Sequence, residues 1–127
     1  MKTINKYMSN GDIYSTALSL GQTFKETDEL FPVAIIYSIQ KNIQTLTKIA
    51  EDVEQHRITV LKKYGSETED GGFNVPQENI EKANNEIISL LDIEQDVRLY
   101  TFKVEELADI KLTSAQMQAL MCMIEEE

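Results

Sequence analysis

Residues 31–65 read "FPVAIIYSIQKNIQTLTKIAEDVEQHRITVLKKYG", and the spacing of apolar residues in this stretch decides the fold class. Ile36, Ile39, Ile43, Leu46, Ala50, Val53, Arg57, Val60 and Tyr64 recur at alternating steps of three and four. That is a seam of 3.5-residue spacing over four heptads, the signature of a helix packed along one face. Pro32 suits the first helical turn, where its missing N–H costs nothing, and Gly65 suits the end. The spacing therefore predicts a helix of about 33 residues, roughly 50 Å long at 1.5 Å per residue. A helix of that length is the spine of a 127-residue chain.

The other segments arrange themselves around this spine. Upstream, a helix is expected from about Asp12 to Leu20, with Ser9 or Asn10 as cap and Gly21 as stop. Residues 21–30, "GQTFKETDEL", read as a polar loop. Downstream, "GSETEDGG" is a turn-rich acidic connector, and "FNVP" a short extended segment, because the residue before proline avoids helix. A third helix is expected from about Pro76 to Leu91, with Ile80, Ala83, Ile87 and Leu91 on one face. It folds back on the spine as an αα-hairpin. "DVRLYTFKV", residues 96–104, is rich in β-branched and aromatic residues and reads as a strand. A lone strand is unstable, so it needs "KTINKYM", "FNV" or a second chain beside it. The last helix starts at the capping box Thr113-x-x-Gln116 and runs to about Ile124. The expected fold is a single domain over residues 1–127, mainly α with a small β element: a long-helix αα-hairpin, a short strand pair and a C-terminal helix.

Charge is divided unevenly along the chain. Residues 1–64 carry eight Lys and Arg against seven Asp and Glu, whereas residues 65–127 carry four against fifteen, giving a net of −10 overall. Nucleic-acid binding needs cations that displace counterions from phosphate, so direct binding is not expected, and anionic membrane surfaces are disfavoured for the same reason. No apolar run is long enough to span a bilayer. The start, "MKTINKYMSNGD", shows no apolar stretch of a secretory signal. The single cysteine, Cys122, makes no internal disulfide, which points to a reducing cytosol.

Catalytic and metal chemistry have one opening, "EDVEQHR" at residues 51–57, which holds the only histidine. Asp52 and His56 lie four apart and share a helix face, but Glu51 and Glu54 point about 100° and 160° away from Asp52. Zinc sites need three or four ligands, and there is no second histidine or cysteine. No nucleophile elbow or phosphate-binding glycine loop is present, and Cys122 in "LMCMI" has no basic neighbour to activate it. No enzyme activity and no cofactor are expected.

Two features favour an interface instead. Arg57 falls within the apolar seam, with Glu54 three residues earlier, and polar groups at such positions often set register or oligomer state. Its remaining partner is expected in Glu86 or Asp92 of the third helix, or in another subunit; the other reading ends the seam near Val53 and leaves Arg57 exposed. The last helix is apolar all round: Met117, Leu120, Met121 and Ile124 on one side, Ala119, Cys122 and Met123 on the other. Such a helix is either central in its core or covered by a partner. Methionine suits adaptable interfaces. The interface candidates are thus Arg57, Glu54, Met117, Ala119, Met121, Cys122 and Met123.

"FPVAIIYSIQKNIQTL", "KKYG" and "LDIEQDVRLYTFKVEELADIKLTSAQMQALMCMIEEE" together resemble a group of small phage and prophage proteins of Firmicutes with no assigned function. The resemblance spans most of the chain in the same order. It implies viral origin and a small helical protein, and it transfers no functional residue. Together these readings predict a phage-encoded, non-enzymatic protein-binding module in the host bacterial cytoplasm. It would act on a host protein, such as a defence factor that it blocks, and would itself form a homo-oligomer. The alternatives are a virion assembly or accessory protein working as a homo-oligomer, and an acidic mimic of DNA.

Overall fold

A computed structural model describes residues 2–24 and 31–125. Among the described residues four strands and four helices follow in the order β1 (Lys2–Ser9), α1 (Asn10–Thr23), α2 (Val33–Tyr64), β2 (Ser66–Glu67), β3 (Phe73–Asn74), α3 (Gln77–Asp92), β4 (Glu94–Thr101) and α4 (Ser114–Leu120). Two 3-10 turns, Val104–Leu107 and Met121–Met123, flank α4. The protein is mainly helical with a small β element, built on the long helix α2.

Local chemistry explains most boundaries. Ser9 caps α1, its hydroxyl accepting from the Asp12 N–H at 3.1 Å. Gly21 does not stop that helix, which continues to Thr23. The Phe24 N–H closes the last turn on the Leu20 carbonyl, and the buried Phe24 ring anchors it. Tertiary burial here outweighs the weak helix propensity of one glycine. The polar loop expected at 21–30 falls largely outside the described residues, at 25–30.

Pro32 caps α2 and Gly65 ends it, as their chemistry requires. A Cβ on Gly65 would lie 2.5 Å from the Asn74 carbonyl oxygen, so only glycine fits where β2 and β3 meet the helix end. Gly71 turns the hairpin between those strands with φ of +85°, the left-handed region that glycine tolerates. "FNV" thus pairs within its own hairpin, Glu67 opposite Phe73. Thr113 and Gln116 form the expected capping box of α4, with bonds of 2.9 and 3.1 Å.

The strand after α3 finds its partner at the other end of the chain. β1 and β4 run antiparallel, with Ile4 opposite Leu99 and Lys6 opposite Val97. One face of this pair is apolar along β4, where Val97, Leu99 and Thr101 are buried. The other face carries Thr3, Asn5, Tyr7, Asp96 and Arg98 and is polar. The core gathers Ile13, Leu20 and Phe24 of the first helical segment, Ile35, Ile39 and Leu46 of α2, the inner face of β4, and Leu120 and Met123 beyond it.

The buried stripe of α2 differs from the expected seam in its first half. Ile35, Ser38, Ile39, Asn42, Leu46, Ala50 and Val53 are buried, while Ile36 and Ile43 pack at the margin of the core. The rotation has a polar cause. Asn42 sends its amide to the second edge of β4: its Nδ2 donates to the Tyr100 carbonyl at 2.9 Å, and its Oδ1 accepts the Tyr100 N–H at 2.8 Å. A side-chain amide thus stands where a third strand would be, and it satisfies two backbone groups that burial would otherwise leave costly. Two residues on, Phe102 continues along the same edge. Its N–H donates to the Met123 carbonyl at 3.0 Å, and its carbonyl accepts from the Glu125 N–H at 2.9 Å.

A second buried amide closes the opposite end. The Asn10 backbone N–H bonds the Ile93 carbonyl, its Nδ2 bonds the Leu90 carbonyl, and its Oδ1 accepts from Gln95 at 2.6 Å. It ties the β1–α1 turn to the α3–β4 turn. Sequence reasoning placed Asn10 only as a helix cap and did not single out Asn42.

Candidate protein-binding surface

α1 and α2 lie side by side through two small residues, Ala17 and Ala50, both buried. Small side chains at the crossing bring the helices close and open a shallow groove of about 270 Å³ beside it. Tyr14 and Leu18, four residues apart on α1, form one wall. Leu18 is 53% exposed. Thr47 lines the α2 side, and Glu51 and Glu54 form an acidic rim.

Glu54 is held at that rim by Arg57. The guanidinium donates twice, from Nε to Oε2 at 2.8 Å and from Nη2 to Oε1 at 2.5 Å. The fork-to-carboxylate geometry is the strong form of such a pair. Hydrogen bonding to Arg57 holds the Glu54 carboxyl below its ordinary range against the opposing effect of burial. Arg57 is raised by the same bond. The sequence brought these two residues together correctly. Of the further partners considered on α3, Glu86 bonds Lys63 instead at 2.8 Å, while Arg57 pairs with Glu54 on its own helix. Both side chains are half exposed, 41% for Arg57 and 30% for Glu54, so the pair borders the packing surface and is not sealed inside it.

The rest of "EDVEQHR" separates as helical geometry requires. His56 Nε2 and Asp52 Oδ1 stand 3.9 Å apart on an exposed face. Among the described residues no group of three metal-ligating side chains forms. On the far side of α2, Val60, Leu90 and Ile93 line a second groove of about 560 Å³, crossed by the Lys63–Glu86 pair.

The C-terminal candidates divide. α4 ends at Leu120, four residues earlier than the expected Ile124, and tightens into a 3-10 turn. A 3-10 turn advances about 120° per residue instead of 100°. Met123 is therefore carried inward to full burial, while Met121 is left 60% exposed. Ala119 and Met123 are core residues, not interface residues as expected; Met117 packs half-buried against the same core. Cys122 is also largely enclosed, and burial pushes its thiol pKa up, which makes it a poor nucleophile. Only Met121 of this group is freely presented to a partner.

Tyr14 and Leu18 escaped sequence reasoning because apolar residues on a short helix read as core. Their one signal was an apolar set wider than a single stripe: Ile13, Tyr14, Ala17, Leu18 and Leu20. The surface and fold define a class, a small helical protein with an apolar, acid-rimmed groove between two helices. Comparisons with protein-family models, with curated proteins and with solved structures found no match to this chain. No helix among the described residues is long and apolar enough to cross a membrane.

Proposed function

We propose that this chain is a non-enzymatic binding module of a bacterial virus that docks on a host protein in the bacterial cytoplasm, with the α1–α2 groove as its contact surface. One observation carries the reading: Tyr14 and Leu18 stand exposed over a floor of Ala17 and Ala50, with Glu51 and Glu54 along the rim. An apolar floor with an acidic rim suits an amphipathic helix that presents a few apolar anchors flanked by Lys or Arg. Net charge of −10 favours encounter with a basic partner and disfavours direct contact with nucleic acid. The resemblance to phage proteins of Firmicutes supports viral origin, and a host defence factor fits such a target.

The test is capture from a Firmicute lysate by the wild type and by Leu18→Glu in parallel. The expected result is a stoichiometric partner retained by the wild type and lost with Leu18→Glu, both proteins showing the same helix content. A wild type that retains nothing, or a variant that retains the same partner equally, counts against the reading.

A further inference from the structure

We propose that β1 is the seam of a two-fold symmetric dimer, in which two copies of the chain pair their first strands into one four-stranded sheet. This inference goes beyond the docking groove and does not depend on it. Its starting point is an open edge. β4 has both edges satisfied along its last residues, by β1 on one side and by Asn42, Met123 and Glu125 on the other. β1 has only β4, and among the described residues no other strand lies beside it.

Parity fixes which groups are unmet. The N–H and C=O of Tyr100 point away from β1 toward Asn42. In an antiparallel pair such a residue faces a partner whose polar groups also point outward. That partner is Thr3, and by alternation Asn5 and Tyr7 share its orientation. Three residues of an eight-residue strand therefore present N–H and C=O to the outside, and Tyr7 is 64% exposed. An uncovered strand edge is a template for another strand.

The side chains select the occupant. An antiparallel copy centred on Asn5 sets Thr3 opposite Tyr7, Ile4 opposite Lys6 and Lys2 opposite Met8, and every outward backbone group meets its counterpart. The two adjacent symmetric registers fail on charge. Centred on Ile4, Lys2 faces Lys6; centred on Lys6, that lysine faces itself. Like charges directly opposite destabilise a strand pair. In the favoured register no two like charges are directly opposite, and the one residue that faces itself, Asn5, is uncharged. On the polar face, Arg98 already leans across β1 to the Thr3 hydroxyl at 3.0 and 3.2 Å, which brings its guanidinium beside Tyr7 of the second copy. On the other face, Ile4, Met121, Cys122 and Ile124 line a hollow together with Lys2, Lys6 and Glu125. Lys6 of the second copy lays its stem over Ile4 there, diagonal to Lys2 and Lys6 of the first copy and directly opposite neither, with Glu125 as the carboxylate that offsets these ammonium groups. The exposure of Met121 then has a purpose.

Asn5 is the one residue that meets itself, and it gives the test. Light scattering of the full chain at tens of micromolar should return twice the 14.5 kDa chain mass. Asn5→Asp and Asn5→Lys, each alone, should shift the protein toward monomer with helix content unchanged, and an equimolar mixture of the two should restore the dimer mass. Ile4→Lys, which sets lysine against Lys6 of the second copy twice over, should weaken the dimer roughly several-fold. A wild type of 14.5 kDa at that concentration overturns the proposal. So does a dimer that none of these variants weakens, or a mixture of the two Asn5 variants that stays monomeric. A monomeric wild type that takes up an extended acidic peptide along β1 also overturns it, by naming a different occupant.

Discussion

The two halves of α2 are one helix in two environments. Residues 35–50 pack against α1 and β4 within the main core cluster. Residues 54–64 meet chiefly α3, and of α3 only Ala83 is fully buried. Ile80 and Ile88 on α3, and Ile93 just after it, remain exposed. The three-and-four repeat continues through both halves, interrupted only by Arg57, so the repeat alone does not measure stability. What differs is the number of layers around the helix. The first half is cemented into a core; the second is a two-helix arm held by one strip of half-buried contacts, the Lys63–Glu86 pair and the tight turn at Gly65.

Substitution at Leu46 should break this comparison most visibly. Leu46→Ala removes a fully buried side chain from the enclosed half and should cost about 2–5 kcal/mol in urea unfolding. Ile88→Ala in the arm should stay within about 0.5 kcal/mol. Equal losses would abolish the distinction. Asn42→Leu keeps the branched shape but strands the N–H and C=O of Tyr100, and should cost about 1–3 kcal/mol with loss of β4 protection in amide exchange. In the arm, Gly65→Ala forces a Cβ against the Asn74 carbonyl and should cost about 1–3 kcal/mol. Its exchange signature should be confined to β2, β3 and the end of α2; a spread into residues 35–50 would show the arm and core to be one cooperative unit.

The smallest effect belongs to the boundary between the halves. Arg57→Leu removes the Glu54 pair, worth about 0.2–1 kcal/mol for a half-exposed site after solvent screening. Glu54 is the group with a lowered pKa, so its stabilisation is fully present above the ordinary carboxylate range. It is lost as pH falls through the lowered value. The stability difference between wild type and Arg57→Leu should accordingly vanish in acid. A difference that persists there would assign the effect to packing of the arginine stem.

The same contrast explains what the sequence disclosed. The long helix, its Pro32 and Gly65 boundaries, the αα-hairpin and the Thr113 capping box follow from local chemistry, and all were legible. The strand partner was narrowed to three candidates, because alternation identifies a strand but no local rule selects among distant edges. Asn42 was invisible for a related reason. Its role depends on the carbonyl and N–H of a residue 58 positions away, and on a helix surface an asparagine looks like any solvated polar residue. Gly21 and Met123 failed in the opposite direction: a local rule pointed one way and burial of Phe24, or the tightening after Leu120, pointed the other. Glu54 and Arg57 were found because their contact lies within one helical turn. Tyr14 and Leu18 were missed because their exposure is a property of what fails to cover them.

The pairing of β1 with β4 also sets a timetable. Thr3 and Arg98, which touch in the finished sheet, are 95 residues apart in the chain. A ribosome adding about 5–20 residues per second completes β4 roughly 5–20 s after β1. Throughout that interval both edges of the first strand are open, and neighbouring nascent chains on the same message carry the same strand. Timing of synthesis, as much as the finished surface, then governs whether the first partner β1 meets is its own β4 or another molecule.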